Sequence, residues 1–261
     1  MIGVFDSGIG GLTVVRALKE HLAEYDILYF GDTARTPYGT KSPETVIQYA
    51  IEDAEILLDR GARLLVVGCN TASSVATEVL RRRFDEPVFE VISPAVRMAV
   101  SQPRHKRVGI IGTRATVGSK VYENKIKALC PETEVYAAAC PLLVPLVEEG
   151  WLKRPETRRI VKKYLHPLKL KQIDVLILGC THYPLLKGII QEKIGKRVKV
   201  IDSSEALACS VKEFLHDNPD IATSLKKESR CRFFVSDVTP HLQKLASSIL
   251  KSTIRLEYVR L

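Results

Sequence analysis

The chain has 261 residues, 46% hydrophobic and 26% charged, with 39 Lys and Arg against 30 Asp and Glu for a formal charge of +9. That composition belongs to a globular protein able to build one or two cores, and no apolar run reaches the length of a membrane span. The basic excess is dispersed over 81–83, 153–163 and 169–171 without interleaved aromatics; it reads as solvated helix faces and argues against nucleic acid as the partner.

The first predicted strand, Ile2–Phe5, runs straight into "DSGIGG" (6–11). No basic segment with an apolar run opens the chain, so the expectation is a cytoplasmic protein without a membrane partner. A strand, a glycine turn and a helix can cradle a phosphate. Here Thr13 stands where G-x-G-x-x-G needs its third glycine, no Walker lysine follows, and Asp6 would repel phosphate. Asp6 is either an acid/base group at a ligand-facing strand end or the cap of the next helix.

A second strand, Ile27–Phe30, leads to "TPYGTKS" (36–42), a turn by composition that faces the same edge as Asp6. The clearest helix is Pro43–Arg60. Ser42 caps it, Pro43 takes the first helical position, Gly61 closes it, and Val46, Ile47, Ala50, Ile51, Ala54, Leu57 and Leu58 form one apolar face.

Strand Leu64–Val67 ends in "GCNT", with Cys69 just before a predicted helix. The partial positive charge of a helix N-terminus favours the thiolate, so Cys69 reads as a ready base. Asn70 and Thr71 add donors for a carboxylate. For a single cysteine the alternative is an inert buried thiol.

Further strands are predicted at Val88–Ile92, Val108–Ile111, Val135–Ala138, Val175–Leu178 and Val198–Ile201. Their unbroken apolarity suits parallel sheets covered on both faces. "GTRATVGS" (112–119) offers Thr113 and Thr116, and "PLLVPLVEEG" (141–150) holds Glu148 and Glu149, either of which could turn inward. Trp151 after them reads as a packing residue. "VLILGCTHYP" sets Cys180, Thr181 and His182 after a strand, with His182 placed to relay the proton of Cys180. Cys69, Cys180 and His182 lack the close paired spacing of zinc ligands. No C-x-x-C occurs among the six cysteines, which read as reduced thiols, four of them ordinary core residues.

The chain also repeats itself. "IGVFDS" (2–7) matches "VGIIGT" (108–113) at an offset of 106, "LLVVGCNT" (64–71) matches "VLILGCTH" (175–182) at 111, and "VISP" (91–94) matches "VIDS" (200–203) at 109. The expected fold is therefore α/β: two pseudo-symmetric open sheets of mainly parallel strands flanked by helices, with the active site in the cleft between two domains. Each half brings a cysteine to its ligand-binding edge. Inverting a stereocentre needs one group to take a proton from one face and a second to deliver one to the other. Two thiols in pseudo-symmetric loops meet that need.

These residues also carry a family resemblance. "GVFDSGIGGL" (3–12), "GDTARTPYGTKS" (31–42), "CNTAS" (69–73), "GTRATVGS" (112–119), "PLVEEG" (145–150), "GCTHYPLL" (179–186) and "FVSD" (234–237) resemble the cofactor-independent glutamate racemases of the aspartate/glutamate racemase superfamily. The resemblance implies Cys69 and Cys180 as acid/base thiols, Asp6 assisting the first, His182 the second, and Glu148 as a further acidic helper. It implies that Asp6, Ser7, Pro37, Tyr38, Gly39, Asn70, Thr71, Thr116, Thr181 and His182 hold glutamate. No pyridoxal phosphate or metal is implied; a homodimer is, as is D-glutamate for peptidoglycan. Aspartate or hydantoin racemase is the alternative within the superfamily. The implied division is 1–95 with 208–261 as one domain and 96–207 as the other, with 231–250 packed on the first.

Overall fold

The structure, a computed structural model, describes all 261 residues. Strands β1 (Ile2–Asp6), β2 (Ile27–Gly31), β3 (Leu64–Val67) and β4 (Val88–Glu90) come first. Then follow β5 (Arg107–Gly112), β6 (Glu134–Ala139), β7 (Val175–Gly179) and β8 (Lys199–Asp202), with β9 (Cys231–Val235) and β10 (Leu256–Tyr258) last. Between β1 and β5 run helices α1 (Leu12–His21), α2 (Pro43–Asp59), α3 (Asn70–Val75), α4 (Thr77–Arg83) and α5 (Ile92–Val100). From β5 to β8 run α6 (Arg114–Gly118), α7 (Val121–Leu129), α8 (Leu143–Glu148), α9 (Pro155–Leu170) and α10 (Lys187–Ile194). After β8 come α11 (Ser203–Asp217), α12 (Pro219–Ser224) and α13 (Pro240–Leu250).

Ten strands form two sheets, ordered β10-β9-β2-β1-β3-β4 and β6-β5-β7-β8, and every pairing is parallel. The order β2-β1-β3-β4 recurs as β6-β5-β7-β8, which is the predicted pseudo-symmetry. Register supports it residue by residue: Ile2 pairs with Leu64 in one sheet and Val108 with Val175 in the other, preserving the offsets of 106 and 111.

The third sequence match is displaced. Leu65 pairs with Val88, and Leu176 with Val200, so the true offset of the fourth strands is 112. Strand β4 ends at Glu90, not Ile92, because the Glu90 carboxylate accepts the N–H groups of Ile92 and Ser93 and turns the chain into α5. Asp202 does the same at α11, accepting the Ser204 N–H at 2.9 Å. The equivalence lies in these carboxylates, which the four-letter match overlooked.

Buried side chains fall into three layers. One face of the first sheet meets α2, α3 and α4 through Phe5, Leu65, Ala50 and Leu57. One face of the second meets α8, α9 and α10 through Leu176, Val161 and Ile190. The remaining faces share a single core, in which Ile2, Val4 and Val66 meet Ile110, Val175 and Ile177 through α1, α5, α7 and α11. Residues 95 and 207, the expected division points, lie inside α5, which packs on β7 and β8, and α11, which touches β4 of the first sheet as well as β7 and β8 of the second. Helix α2 keeps its predicted start, where Ser42 Oγ accepts the Thr45 N–H at 3.3 Å, and ends one residue early at Asp59, with Arg60 as the C-cap and Gly61 following at φ +89°.

Two strands were missing from the sequence expectation. β9 pairs with β2 and β10 with β9, so the segment after 230 extends the first sheet as well as packing on it. Arg232 broke the apolar run there, although "FFV" is strand-forming. Trp151, expected to pack, is 42% exposed, with Arg154 over its ring at 5.9 Å.

Phe233 is 5% exposed, and its ring centroid lies 6.4 Å from that of Tyr29. Phe233→Ala is expected to cost about 3–5 kcal/mol in urea unfolding. A cost typical of a surface substitution would show that the C-terminal strands add nothing to the core.

Candidate active site

Both Gly-Cys steps end inner strands of their sheets, and their cysteines line one cleft. Ser7, Pro37, Tyr38, Gly39, Asn70, Thr71, Thr181 and His182 line it too, with Thr36, Thr113 and Val144. No lysine or arginine is among the lining groups. An anion there would be held by hydroxyls, backbone N–H groups and one imidazole. Roomier depressions exist, one of about 380 Å³ beside Lys106 and Cys130 and one of about 290 Å³ beside Arg81 and Arg97, but neither gathers paired acid/base groups.

Cys69 is the N-cap residue of α3, and its thiol donates to Ser7 Oγ at 3.5 Å. The expected thiolate does not result. Burial, reinforced by the nearby Asp6 charge, pushes the thiol up to about 12, against smaller opposing effects from Ser7 and the Ala72 N–H. One short helix terminus does not offset burial beside a carboxylate.

Cys180 has different surroundings. Its Sγ lies 3.7 Å from His182 Nδ1, and His182 Nε2 lies 3.2 Å from Glu148 Oε1. Burial alone would lower His182, but its contacts with Cys180 and Glu148 raise it to about 10, so it is an imidazolium at neutral pH. Of the two glutamates left open by sequence, Glu148 is the one at the site; it closes α8 and stands behind His182, outside the cleft lining.

Asp6 is fully buried beneath the cleft. Its carboxylate accepts the Gly8 N–H at 3.1 Å and the Thr181 hydroxyl at 3.3 Å, so it braces the glycine turn and the opposite loop together. It does not cap α1, whose N-cap is Gly11. Burial raises its pKa, while the His182 charge, the Gly11 and Gly8 N–H groups and Thr181 pull it down. No Asp6–Cys69 hydrogen bond forms; Asp6 acts on that thiol through its charge.

Two of the expected contact hydroxyls stand behind the lining. The Tyr38 hydroxyl points away from the cleft, within hydrogen-bond reach of both Asp53 (2.9 Å) and Asp32 and able to donate its one proton to either, leaving its ring and backbone to the site. Thr116 is buried behind Thr113, their hydroxyls 3.0 Å apart, with Thr71 3.3 Å from Thr116. Thr113 is the one that lines the cleft.

Sequence reading missed Thr13, having noted it only as a failed glycine. Its Oγ lies 2.9 Å from the carbonyls of both Gly10 and Thr181 and 3.0 Å from Ser204 Oγ, tying α1 to the Cys180 loop and to α11. Gly10 allows that approach, since a Cβ there would stand 2.5 Å from His182 Nδ1. Asn70 donates to Tyr122 at 2.8 Å, while its Oδ1 is buried without a partner.

The Asp/Glu/Hydantoin racemase family profile matches residues 2–211. A protein named glutamate racemase from Syntrophus aciditrophicus is 46% identical over 253 residues, covering 95% of this chain and 92% of that protein. A glutamate racemase of Bacillus anthracis has a solved structure that superposes with a TM-score of 0.94 at 35% identity, over 100% of this chain and 97% of that one. A Francisella tularensis glutamate racemase, solved with D-glutamate, superposes with a TM-score of 0.90 at 37% identity, over 99% and 96%.

With its pKa raised from 9.0 to about 12, Cys69 should hold about a thousandfold less thiolate than an ordinary thiol. Iodoacetamide near neutral pH should therefore label Cys69 slowly in the ligand-free protein and faster as pH rises; rapid labelling would show a preformed thiolate. The unfolded thiol ionises near 9 and the folded one near 12, so its contribution to stability falls as pH rises between those values.

Thr13→Val removes the group facing the buried Thr181 carbonyl, an expected loss of about 1–3 kcal/mol in urea unfolding. Thr13→Ser should restore most of it. Equal losses in the two variants would mean that methyl packing, not the hydroxyl, holds this loop.

Proposed function

The chain belongs to the Asp/Glu/Hydantoin racemase family, and on that premise we propose that it is a glutamate racemase, interconverting L- and D-glutamate without a cofactor. The observation that carries this reading is the pair of thiols, Cys69 and Cys180, lining one cleft from the matching strand ends of two pseudo-symmetric sheets. Identity to glutamate racemases near one half along almost the whole chain favours glutamate over aspartate or a hydantoin.

Each thiol serves one face of the α-carbon. Cys69, kept protonated by burial, is the acid that delivers a proton. Cys180 removes the α-proton from the other face, with the His182 imidazolium and Glu148 stabilising the charge that passes through it. In the reverse direction the roles exchange. The α-proton is far less acidic than a thiol, so the carbanion-like state needs donors already in place. Ser7, Asn70, Thr71 and Thr181, with the backbone N–H groups of Tyr38 and Gly39, supply them around the substrate carboxylates; Pro37, which has no N–H, only lines the site, and Thr116 supports Thr71. By analogy with oxyanion holes each lost donor costs about 2.7–4 kcal/mol of barrier. The unpaired Asn70 Oδ1 is an acceptor suited to the substrate ammonium.

The cleft holds only about 30 Å³ of free space, room for roughly two waters. Glutamate therefore enters when the two halves part, and their closure excludes water around the carbanion. The domain division at about 95 and 207 is part of this reading, supported by the membership of the two sheets. So are a cytoplasmic location and supply of D-glutamate to peptidoglycan. A homodimer completes it; the exposed Leu142, Trp151 and Leu170 offer apolar surface for one.

In D2O the enzyme should bring the optical rotation of L-glutamate to zero while deuterium enters the α-position. Cys69→Ser and Cys180→Ser should each lower that rate by about 10²–10⁴-fold. Normal racemisation by either variant rules out the two-thiol reading, and faster turnover of aspartate overturns the substrate.

A further inference from the structure

Helices α1 and α11 pack together in the core shared by the sheets, and their contact gathers three donors that the racemisation does not use. His21 is the last residue of α1; Glu205 and Cys209 lie one turn apart on α11. A His21 ring nitrogen, a Glu205 carboxylate oxygen and Cys209 Sγ all lie within 4.8 Å of one another. All three residues are partly buried, and none lines the catalytic cleft. We infer that His21, Glu205 and Cys209 form a zinc-binding site that clips α1 to α11.

The donor set selects the ion. An imidazole nitrogen, a carboxylate oxygen and a thiolate suit a borderline-soft divalent cation and not calcium or magnesium, which take oxygen ligands. Zinc bonds of about 2.0–2.3 Å in a tetrahedron put ligand atoms roughly 3.3–3.7 Å apart. His21 Nε2 and Glu205 Oε1 stand 2.5 Å apart as a hydrogen-bonded pair, so they separate by about 1 Å as zinc enters. Partly exposed side chains can make that shift by changing rotamers, without moving either helix. A His–Glu ion pair alone explains two of the three groups. It does not explain the sulfur that converges on the same point, one turn beyond Glu205 on the same face of α11. Water or a further ligand completes the tetrahedron.

The effect of the clip is structural. The same two helices meet at the cleft floor through Thr13 and Ser204. Zinc at His21 therefore stabilises a seam that ends at the Thr181 carbonyl, without touching the thiols that move protons.

Calorimetric titration of the full, phosphine-reduced chain with zinc chloride tests the site. One zinc per chain is expected, retained by a Cys69→Ala/Cys180→Ala double variant. His21→Ala and Cys209→Ser should each weaken it by more than the roughly 10–100-fold that losing an outer partner costs. Zinc should raise the melting temperature of the unmutated chain and leave those two variants unmoved. Melting of the metal-free variants shows that they are folded. With cobalt, a thiolate-to-metal absorption band should appear and vanish in Cys209→Ser. Absence of stoichiometric zinc overturns the proposal. So does zinc that survives His21→Ala and Cys209→Ser and is lost with the cleft thiols, which would place it in the active site.

Discussion

Ile2 and Val4 of β1 point into the same apolar layer as Val175 and Ile177 of β7, with the helices α1, α5 and α11 packed between the sheets. The cleft chemistry depends on this shared layer. Parallel strands put every ligand-facing loop at the carboxyl end of its sheet. A Gly-Cys step at the end of β3 and another at the end of β7 can work on one molecule only if the two sheets are held in a fixed relation. A hydrophobic layer common to both holds them, with Asp6–Thr181 and Thr13–Thr181 as polar ties at its rim. Contacts at the rim can break and reform while the layer persists, so opening need not disrupt the core.

The pseudo-symmetry of the strands stops at the thiols. Cys69 has a hydroxyl for a partner, a buried carboxylate nearby and a raised pKa. Cys180 has an imidazole that a second carboxylate helps to keep protonated. In the proposed racemisation the two faces of the α-carbon are met by unequal groups: one a protonated thiol, the other a thiol coupled to a proton store. Reversible racemisation requires only that each thiol be able to occupy either state during turnover. It does not require that both begin in the same one.

Several features were legible because they depend on local pattern. Continuous apolar runs gave the parallel strands, since only a strand covered on both faces lacks a polar side. Ser42, Pro43 and Gly61 marked α2 because capping is satisfied within a few residues. The Gly-Cys repeats were readable as a pair, and the register of β1 with β3 and of β5 with β7 keeps their offsets. The match at 91–94 failed because it compared letters where the equivalence lies in the helix-capping carboxylates Glu90 and Asp202. Strand β9 escaped because its partner β2 is about two hundred residues away, and no local pattern reports so distant a pairing.

By itself the sequence determined the α/β class, the internal repeat, the two thiols and most of the cleft lining, since each is written in periodicity or in a short motif. The electrical state of those groups came from the fold. Desolvation and the approach of Asp6 are distance effects between segments remote in sequence, and they reverse the helix-terminus expectation for Cys69. The same holds for Thr13 and Thr116. A hydroxyl in a motif has no assigned role until the fold sets a carbonyl, or another hydroxyl, within hydrogen-bond distance of it.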